Sequence, residues 1–287
     1  MADWYTIEEY ETSEKFGSIP EKRSIEELLN GGIVLVDKPF GPTSNQVSSW
    51  VRKELDRKKA GHFGTLDPNA TGVLPIGLNS GTRVQKALAE AEKEYVFEAE
   101  FRDDIDKEDA ENAVKSFEGV NNQVPPEKSA VKREERQREV YKSELIEVEG
   151  DKLLARVRCE SGFYVRVMVQ QLADKLGTEG SMTELRRTKQ GDIAEDELNT
   201  IQDIVDAYHF YKEENDEEKL REVICPKEKA VNHLKKLVIK DSAVNAVANG
   251  ANLGCKGISK LQDGIKEGER VAVMTLKGEL VAIAKAE

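Results

Sequence analysis

One carboxylate in this chain stands where chemistry is plausible. In Gly61–Leu74 (GHFGTLDPNATGVL), Asp67 is followed by Pro68 and framed by Gly61, Gly64 and Gly72. Glycines let a backbone turn tightly beside a ligand, and proline restricts the residue before it, here Asp67. A carboxylate held this way can serve as a nucleophile or as a base. The same Asp-Pro pair also makes an ordinary turn in which the Asp bonds its own backbone, and the loop alone does not separate the two. Cys159, Cys225 and Cys255 are scattered, with no CxxC pair and no His at ligand spacing. That argues against zinc and against a disulfide framework.

The elements around this loop can be read from periodicity. Ser24 with Glu27 forms a capping box for a helix over Ser24–Asn30. Gly32–Asp37 is a buried strand running into a Pro/Gly turn, and Thr43-Ser44 caps a helix over Gln46–Leu55. Gly61–Pro75 reads as a loop, Ile76–Leu78 as strand-like and Thr82–Ala91 as a helix. Lys93–Phe101 alternates with period two, a half-exposed strand. Lys107–Phe117 is a helix and Gly119–Lys132 a loop around Pro125-Pro126. Val140–Glu149 and Lys152–Glu160 are strands joined at Gly150-Asp151, and Tyr164–Leu176 is a helix stopped by Gly177. Asp203–Glu222 is helical, and Pro226 breaks the pattern. Then come four short β runs, Leu234–Ile239, Gly257–Leu261, Arg270–Thr275 and Glu279–Ala284, with a helix over Asp241–Asn249 capped by Asp241 or Ser242. The whole predicts a mixed α/β (α+β) chain: a largely antiparallel sheet domain followed by a small β-barrel.

The chain has 287 residues and a net charge of −12. Residues 1–27, 90–118 and 213–222 carry −5, −8 and −4, which leaves the remainder at +5. Basic clusters lie at Arg52–Lys59, Lys128–Lys142 and Arg186–Lys189. Phosphate binding follows local potential, so an acidic total is compatible with an RNA partner. The acidic start lacks an apolar stretch and no run is long enough to span a membrane, so a cytoplasmic protein without a membrane partner is expected.

Gly61–Pro75 (GHxGTLDPxATGVLP) resembles the signature loop of the TruB/dyskerin family of pseudouridine synthases, and its companions appear in family order. Lys38-Pro39-x-Gly41-x-Thr43-Ser44 resembles the KPxGxTS motif, and Lys93-Glu94-Tyr95 the KxY strand. Pro125-Pro126 with Ser129-Ala130-Val131-Lys132 is similar to PPxxSAVK, Gly162–Arg166 to GTYIR, and Leu185-Arg186-Arg187 to the LRR segment. Val205–Tyr208 and Ile224-Cys225-Pro226 resemble the archaeal and eukaryotic dyskerin branch, and Leu237–Glu279 a PUA domain. Asn69-Ala70, Asn45-Gln46 and Phe63 depart from that branch. The implied organisation is an extension over 1–30, with part of it packing on the PUA domain, a catalytic domain over 31–225 and a PUA domain over 226–287.

The resemblance implies isomerisation of uridine with Asp67 as the catalytic carboxylate. Arg166 would pair with it, Tyr95 would stack on the uracil, and Tyr164 would contact substrate. Lys38, Leu185 and Val165 would wall the pocket, and His62 would support the RNA from which the base flips. Lys132, Arg133 and Arg186 would contact RNA phosphates. The reaction exchanges one carbon–nitrogen bond for one carbon–carbon bond, so neither cofactor nor metal is expected. The implied partners are box H/ACA guide RNA, rRNA and tRNA, with small H/ACA proteins. Two other readings are a stand-alone tRNA pseudouridine-55 synthase, which Asn69-Ala70 favours, and a non-catalytic PUA-containing RNA-binding scaffold. The presence of Asp67, Tyr95 and Arg166 together argues against the scaffold.

Overall fold

The computed structural model describes residues 3–126 and 132–287. Strand β1 (Trp4–Thr6) is followed by helix α1 (Ile25–Gly31), strand β2 (Ile33–Lys38), helix α2 (Ser44–Glu54), strands β3 (Ala60–His62) and β4 (Ala70–Leu78), and helix α3 (Gln85–Ala89). Then come strand β5 (Lys93–Phe101), helix α4 (Lys107–Lys115), strands β6 (Gly119–Gln123), β7 (Arg136–Glu149) and β8 (Lys152–Cys159), and helix α5 (Val165–Leu176). Strands β9 (Gly180–Gln190) and β10 (Ile193–Ala194), helices α6 (Ile201–Glu214) and α7 (Glu218–Val223) and strand β11 (Ile224–Cys225) follow. The last part holds β12 (Lys235–Ile239), α8 (Asp241–Ala248), β13 (Ile258–Gln262), β14 (Arg270–Met274) and β15 (Leu280–Lys285).

Local sequence sets several of these boundaries. Ser24 and Glu27 close a capping box on α1, and Thr43 with Gln46 does the same for α2. Gly177, at φ 69°, terminates α5 in the left-handed conformation that glycine adopts without strain.

Among the described residues ten strands form one mixed sheet in the order β11-β2-β4-β9-β5-β8-β7-β6, with β3 added to β4 and β10 to β9. Only β4 and β9 run parallel; every other pair is antiparallel. The main core joins Val47 and Val51 of α2, Val114 of α4 and Met168, Val169 and Leu172 of α5 to Leu74, Ile76, Phe97 and Ala155 of the sheet. Burying these side chains supplies the main drive for this packing.

A second, five-stranded sheet has the order β1-β13-β12-β14-β15. Within it β12 and β14 run parallel, and the other pairs are antiparallel. Residues ahead of α1 run along this sheet. Thr12 Oγ1 donates to Asp241 (3.1 Å), and Lys277 Nζ donates to the Phe16 carbonyl (2.7 Å). Arg23 binds Glu228 through two hydrogen bonds, 2.7 and 2.9 Å, and Glu228 also accepts from the Leu280 amide at 3.0 Å.

Several expectations need correction. Gly61–Pro75 is not one loop: most of β3 and most of β4 fall inside it. Gly119–Gln123 is a strand because its backbone completes the sheet edge beside β7. Thr82–Ala91 is not one helix: it takes in the end of a 3₁₀ turn, Asn79–Val84, and then the short α3. Asp203–Glu222 is two helices, broken where Asn215 takes φ 55°. The N-cap of α8 is Lys240, without a capping side chain. Among the described residues no helix is long and apolar enough to cross a membrane.

Candidate active site

The backbone on both sides of Asp67 is pinned. On the near side Ser44, the first residue of α2, accepts from the Leu66 amide (2.8 Å) and donates to the Leu66 carbonyl (2.9 Å). On the far side Lys38 Nζ donates to the carbonyls of Pro39 (2.9 Å), Pro68 (3.0 Å) and Ala70 (2.7 Å). Those three bonds use all the donors of an ammonium group. The Ala70 amide closes a turn on the Asp67 carbonyl at 3.0 Å. The Asp67 side chain itself stays 53% exposed. Lys38 therefore corrects an expectation: it is fully buried behind the loop and does not wall the cavity. Burial lowers its pKa, and the Asp67 charge works against that shift.

A second layer holds the loop to β9. Arg187 is fully buried, and its guanidinium donates to the carbonyls of Val73 (2.8 Å) and Gly64 (3.1 Å). Gly72 at φ +96° lets the strand pass so close that a Cβ would lie 2.2 Å from the Arg187 carbonyl oxygen. Phe63 is fully buried and packs on Gly77, where a Cβ would sit 2.6 Å from the ring. The departure of Phe63 from the family loop is thus a packing feature, matched by the glycine opposite.

In front of the pinned loop lies a cavity of about 450 Å³, lined by Asp67, Lys93, Tyr95, Tyr164, Arg166 and Leu185, with apolar surface from Leu66, Phe163, Val165 and Met182. Arg166, in the first turn of α5, forms an ion pair with Asp67. That turn is fixed from β6: Gln123 accepts from the Tyr164 amide (2.8 Å) and donates to the Tyr164 carbonyl (3.1 Å). Tyr95 is 8% exposed, and burial raises its pKa, so its hydroxyl stays protonated near neutral pH. Largely apolar walls with a few placed polar groups suit a flat heteroaromatic ring.

The other expected residues lie outside this cavity. His62 on β3 is half-buried, with Nε2 3.1 Å from Asn45 Oδ1; burial lowers its pKa, so it is neutral at pH 7. Arg186 is held by Asp37 (2.9 and 3.1 Å) and Glu195 (2.6 Å), which raise its pKa. Lys132 is exposed and pairs with Glu134. Arg133 lines an adjoining cavity of about 570 Å³ that shares Pro126 and Arg166 with the first. Ser129, Ala130 and Val131 of the expected PPxxSAVK motif lie outside the described residues, as does Lys128 of the basic cluster. Sequence reasoning assigned no role to Gln123, Lys93, Arg187 or Gln190, the last a buried residue of β9 whose side-chain amide donates to the Phe63 and Leu88 carbonyls. The last three sit in or beside quoted motifs; Gln123 carried no signal, since its segment was read as a loop.

Residues 52–165 match the TruB family pseudouridylate synthase (N terminal domain), and residues 166–232 the tRNA pseudouridylate synthase B C-terminal domain. Residues 235–287 match the PUA domain and residues 3–48 the DKCLD (NUC011) domain. The chain is similar to a probable tRNA pseudouridine synthase B of Archaeoglobus fulgidus, 46% identical over all of this chain and 88% of the relative. A protein of the same name from Pyrococcus abyssi is 50% identical over 96% of this chain and 83% of the relative. Among solved structures, a Cbf5-Nop10-Gar1 complex contains a chain that superposes with a TM-score of 0.95 at 47% identity, covering all of this chain and 88% of that one. An H/ACA RNP bound to a substrate RNA containing 2′-deoxyuridine superposes with a TM-score of 0.92 at 45% identity, covering all of this chain and 88% of that one.

Proposed function

The chain belongs to the TruB family of pseudouridylate synthases, and from that premise we propose that it converts uridine to pseudouridine at the Asp67 cavity, on RNA selected by a box H/ACA guide. The observation that carries the site is the pinned, half-exposed Asp67 paired with Arg166 at the mouth of a base-sized cavity. The target nucleotide leaves its stack and its base enters that cavity. Tyr95 lies under the ring, and Leu185, Val165 and Met182 exclude water around it. Asp67 acts at the sugar, as nucleophile or base, while the C1′–N1 bond breaks and its electron pair leaves with the uracil. The ring turns, C5 bonds to C1′, the C5 hydrogen departs as a proton and N1 takes one up. No net oxidation occurs, so the chemistry calls for no cofactor. Arg166 orients the carboxylate through a charge-assisted contact.

Guide dependence is supported by the likeness, over the whole chain, to the protein of a Cbf5-Nop10-Gar1 complex and to that of an RNA-bound H/ACA RNP. The proposed partners are guide RNA, rRNA or tRNA substrates and small H/ACA proteins, in a cytoplasmic ribonucleoprotein. His62 and the basic residues Lys132 and Arg133 contact RNA in this reading. Arg186, already engaged by two carboxylates, braces β9 instead. A stand-alone tRNA synthase is the second reading, favoured by the names of the relatives and by Asn69-Ala70. Tritium release from [5-³H]uridine RNA tests both. Release that needs guide RNA supports the first reading, and release from a T-loop RNA alone supports the second. Asp67→Asn is expected to abolish release while RNA binding persists; turnover by that variant overturns the role of Asp67.

A further inference from the structure

The reaction as described leaves one buried cation of the cavity without a task. Lys93 lies on β5 two residues before Tyr95 and on the same inward face; it is 6% exposed and lines the cavity. Its Nζ donates to the carbonyls of Ala89 (2.8 Å) and Ala91 (2.7 Å). An ammonium group has three N–H donors and accepts nothing, and among the described residues no third acceptor reaches it. The anchoring is firm, because Ser161, another lining residue, also donates to the Ala89 carbonyl at 2.9 Å.

The sheet register sets where Lys93 stands relative to Asp67. Ala70, which follows Asp67, is level with Leu185 and Phe97, and Gly72 is level with Arg187 and Tyr95. Lys93, level with Gln190, is one step further along β5. Asp67 therefore marks one end of the cavity and Lys93 the other, with Tyr95 between them. A uridine whose C1′ meets Asp67 points N1 toward the loop, and the ring position across from N1 is C4.

We infer that Lys93 reads the 4-oxo group of the flipped uracil through its free N–H and offsets the negative charge of the ring once the C1′–N1 bond has broken. This rests on the proposed site. The electron pair of that bond leaves with the ring, as a monoanion whose charge spreads over N1, O2 and O4. Lys93 keeps its protons while C5 bonds to C1′, the C5 proton departs and N1 is protonated. Cytosine places an amino donor at C4, opposite a group that can only donate, and a mismatched buried donor is rejected strongly. Lys93 is thus a selector of uridine over cytidine as well as a stabiliser of the detached base.

The titratable groups facing Lys93 are Arg187 on β9, Cys159 on β8 and His233 ahead of β12, and Tyr95 on its own strand lines the same cavity. Burial pushes the Cys159 thiol up to about 12, raises Tyr95 and lowers His233. Burial, assisted by the Arg187 charge, brings Lys93 down to about 7, so its charge changes near neutral pH while those three groups stay neutral above that point.

The test is single-turnover tritium release from [5-³H]uridine RNA between about pH 6 and about pH 8.5, with guide RNA present, together with RNA affinity and thermal unfolding. Wild-type turnover is expected to fall as pH rises through this range. Lys93→Met is expected to be about ten- to hundredfold slower at the acid end and flat with pH, with RNA affinity unchanged, and Lys93→Arg to recover part of the rate. Wild-type rate and pH dependence in Lys93→Met would overturn the inference. If that variant fails to fold, the wild-type profile decides, since a rate that does not fall with pH is incompatible with a required Lys93 charge. Failure of the site itself has another signature: turnover by Asp67→Asn, whatever Lys93 does.

Discussion

At the scale of single residues, position is fixed from behind and chemistry is left in front. Lys38 and Ser44 touch only backbone carbonyls and an amide around Asp67, yet they decide where its carboxylate stands. Displacing a reacting group by about 1 Å can cost on the order of a hundredfold in rate. Lys38→Met and Ser44→Ala are therefore expected to lower kcat by roughly that factor with little change in RNA affinity, measured by tritium release and filter binding. Arg166→Lys keeps the charge but loses the planar fork, so turnover falls while the domain stays folded; an unchanged rate would remove Arg166 from the site. The histidines bear on stability. Burial holds His62 and His233 below the ordinary histidine range, so each binds protons more readily in the unfolded chain. Stability is then fully present above about pH 6.5 and is lost as pH falls below it. Unfolding midpoints at pH 7.5 and 5.5 should differ, and His62→Gln with His233→Gln should narrow the gap.

At the scale of elements, the parallel pair β4–β9 carries the site, because it sets Arg187 beneath the loop and Leu185 beside the cavity. Gly72 permits this closeness through both its φ of +96° and its missing side chain. Gly72→Ala is expected to destabilise by about 3 kcal/mol or more, since backbone strain and a clash with main chain add together. A variant of wild-type stability in denaturant unfolding would refute that. This level also shows how much was legible in sequence. Strand β5 and helix α5 were clear, because clean alternation and a terminal glycine are local signals. Strand β9 was not: two register shifts against β5 break its alternation, and Arg187 and Gln190, polar in type, are fully buried. Strand β6 was hidden because GVNNQ has little strand character and is held by pairing to β7. Asp67, Tyr95 and Arg166 could be named from motifs, but the braces Gln123, Ser44 and Lys38 act through backbone contacts that no spacing reveals.

At the scale of the whole molecule, charge and connection matter more than totals. The acidic segments leave the remainder of the chain positive, so RNA affinity should fall steeply with salt despite the net charge of −12. A flat salt dependence would show that shape dominates. Arg23 and Glu228, 13% and 9% exposed in their side chains, tie the residues before α1 to the 3₁₀ turn Lys227–Val231, and Glu228 extends the tie to β15 through Leu280. Breaking a buried pair from one side leaves a charge without a partner. Arg23→Ala is expected to destabilise by about 3 kcal/mol and to expose residues 3–23 to limited proteolysis.

The pairing of β1 with β13 also constrains the order in which this chain can be made. β1 leaves the ribosome long before its partner, Ile258–Gln262. Domains generally fold as they emerge, so the ten-stranded sheet can assemble while residues 3–23 still wait. β1 can join the second sheet only once residues 258–262 have emerged. Until then β1 is without its partner, the kind of unpaired strand on which neighbouring nascent chains associate. A chain cut short before residue 258 keeps the pinned Asp67 loop and its cavity, but its first strand has no place to go.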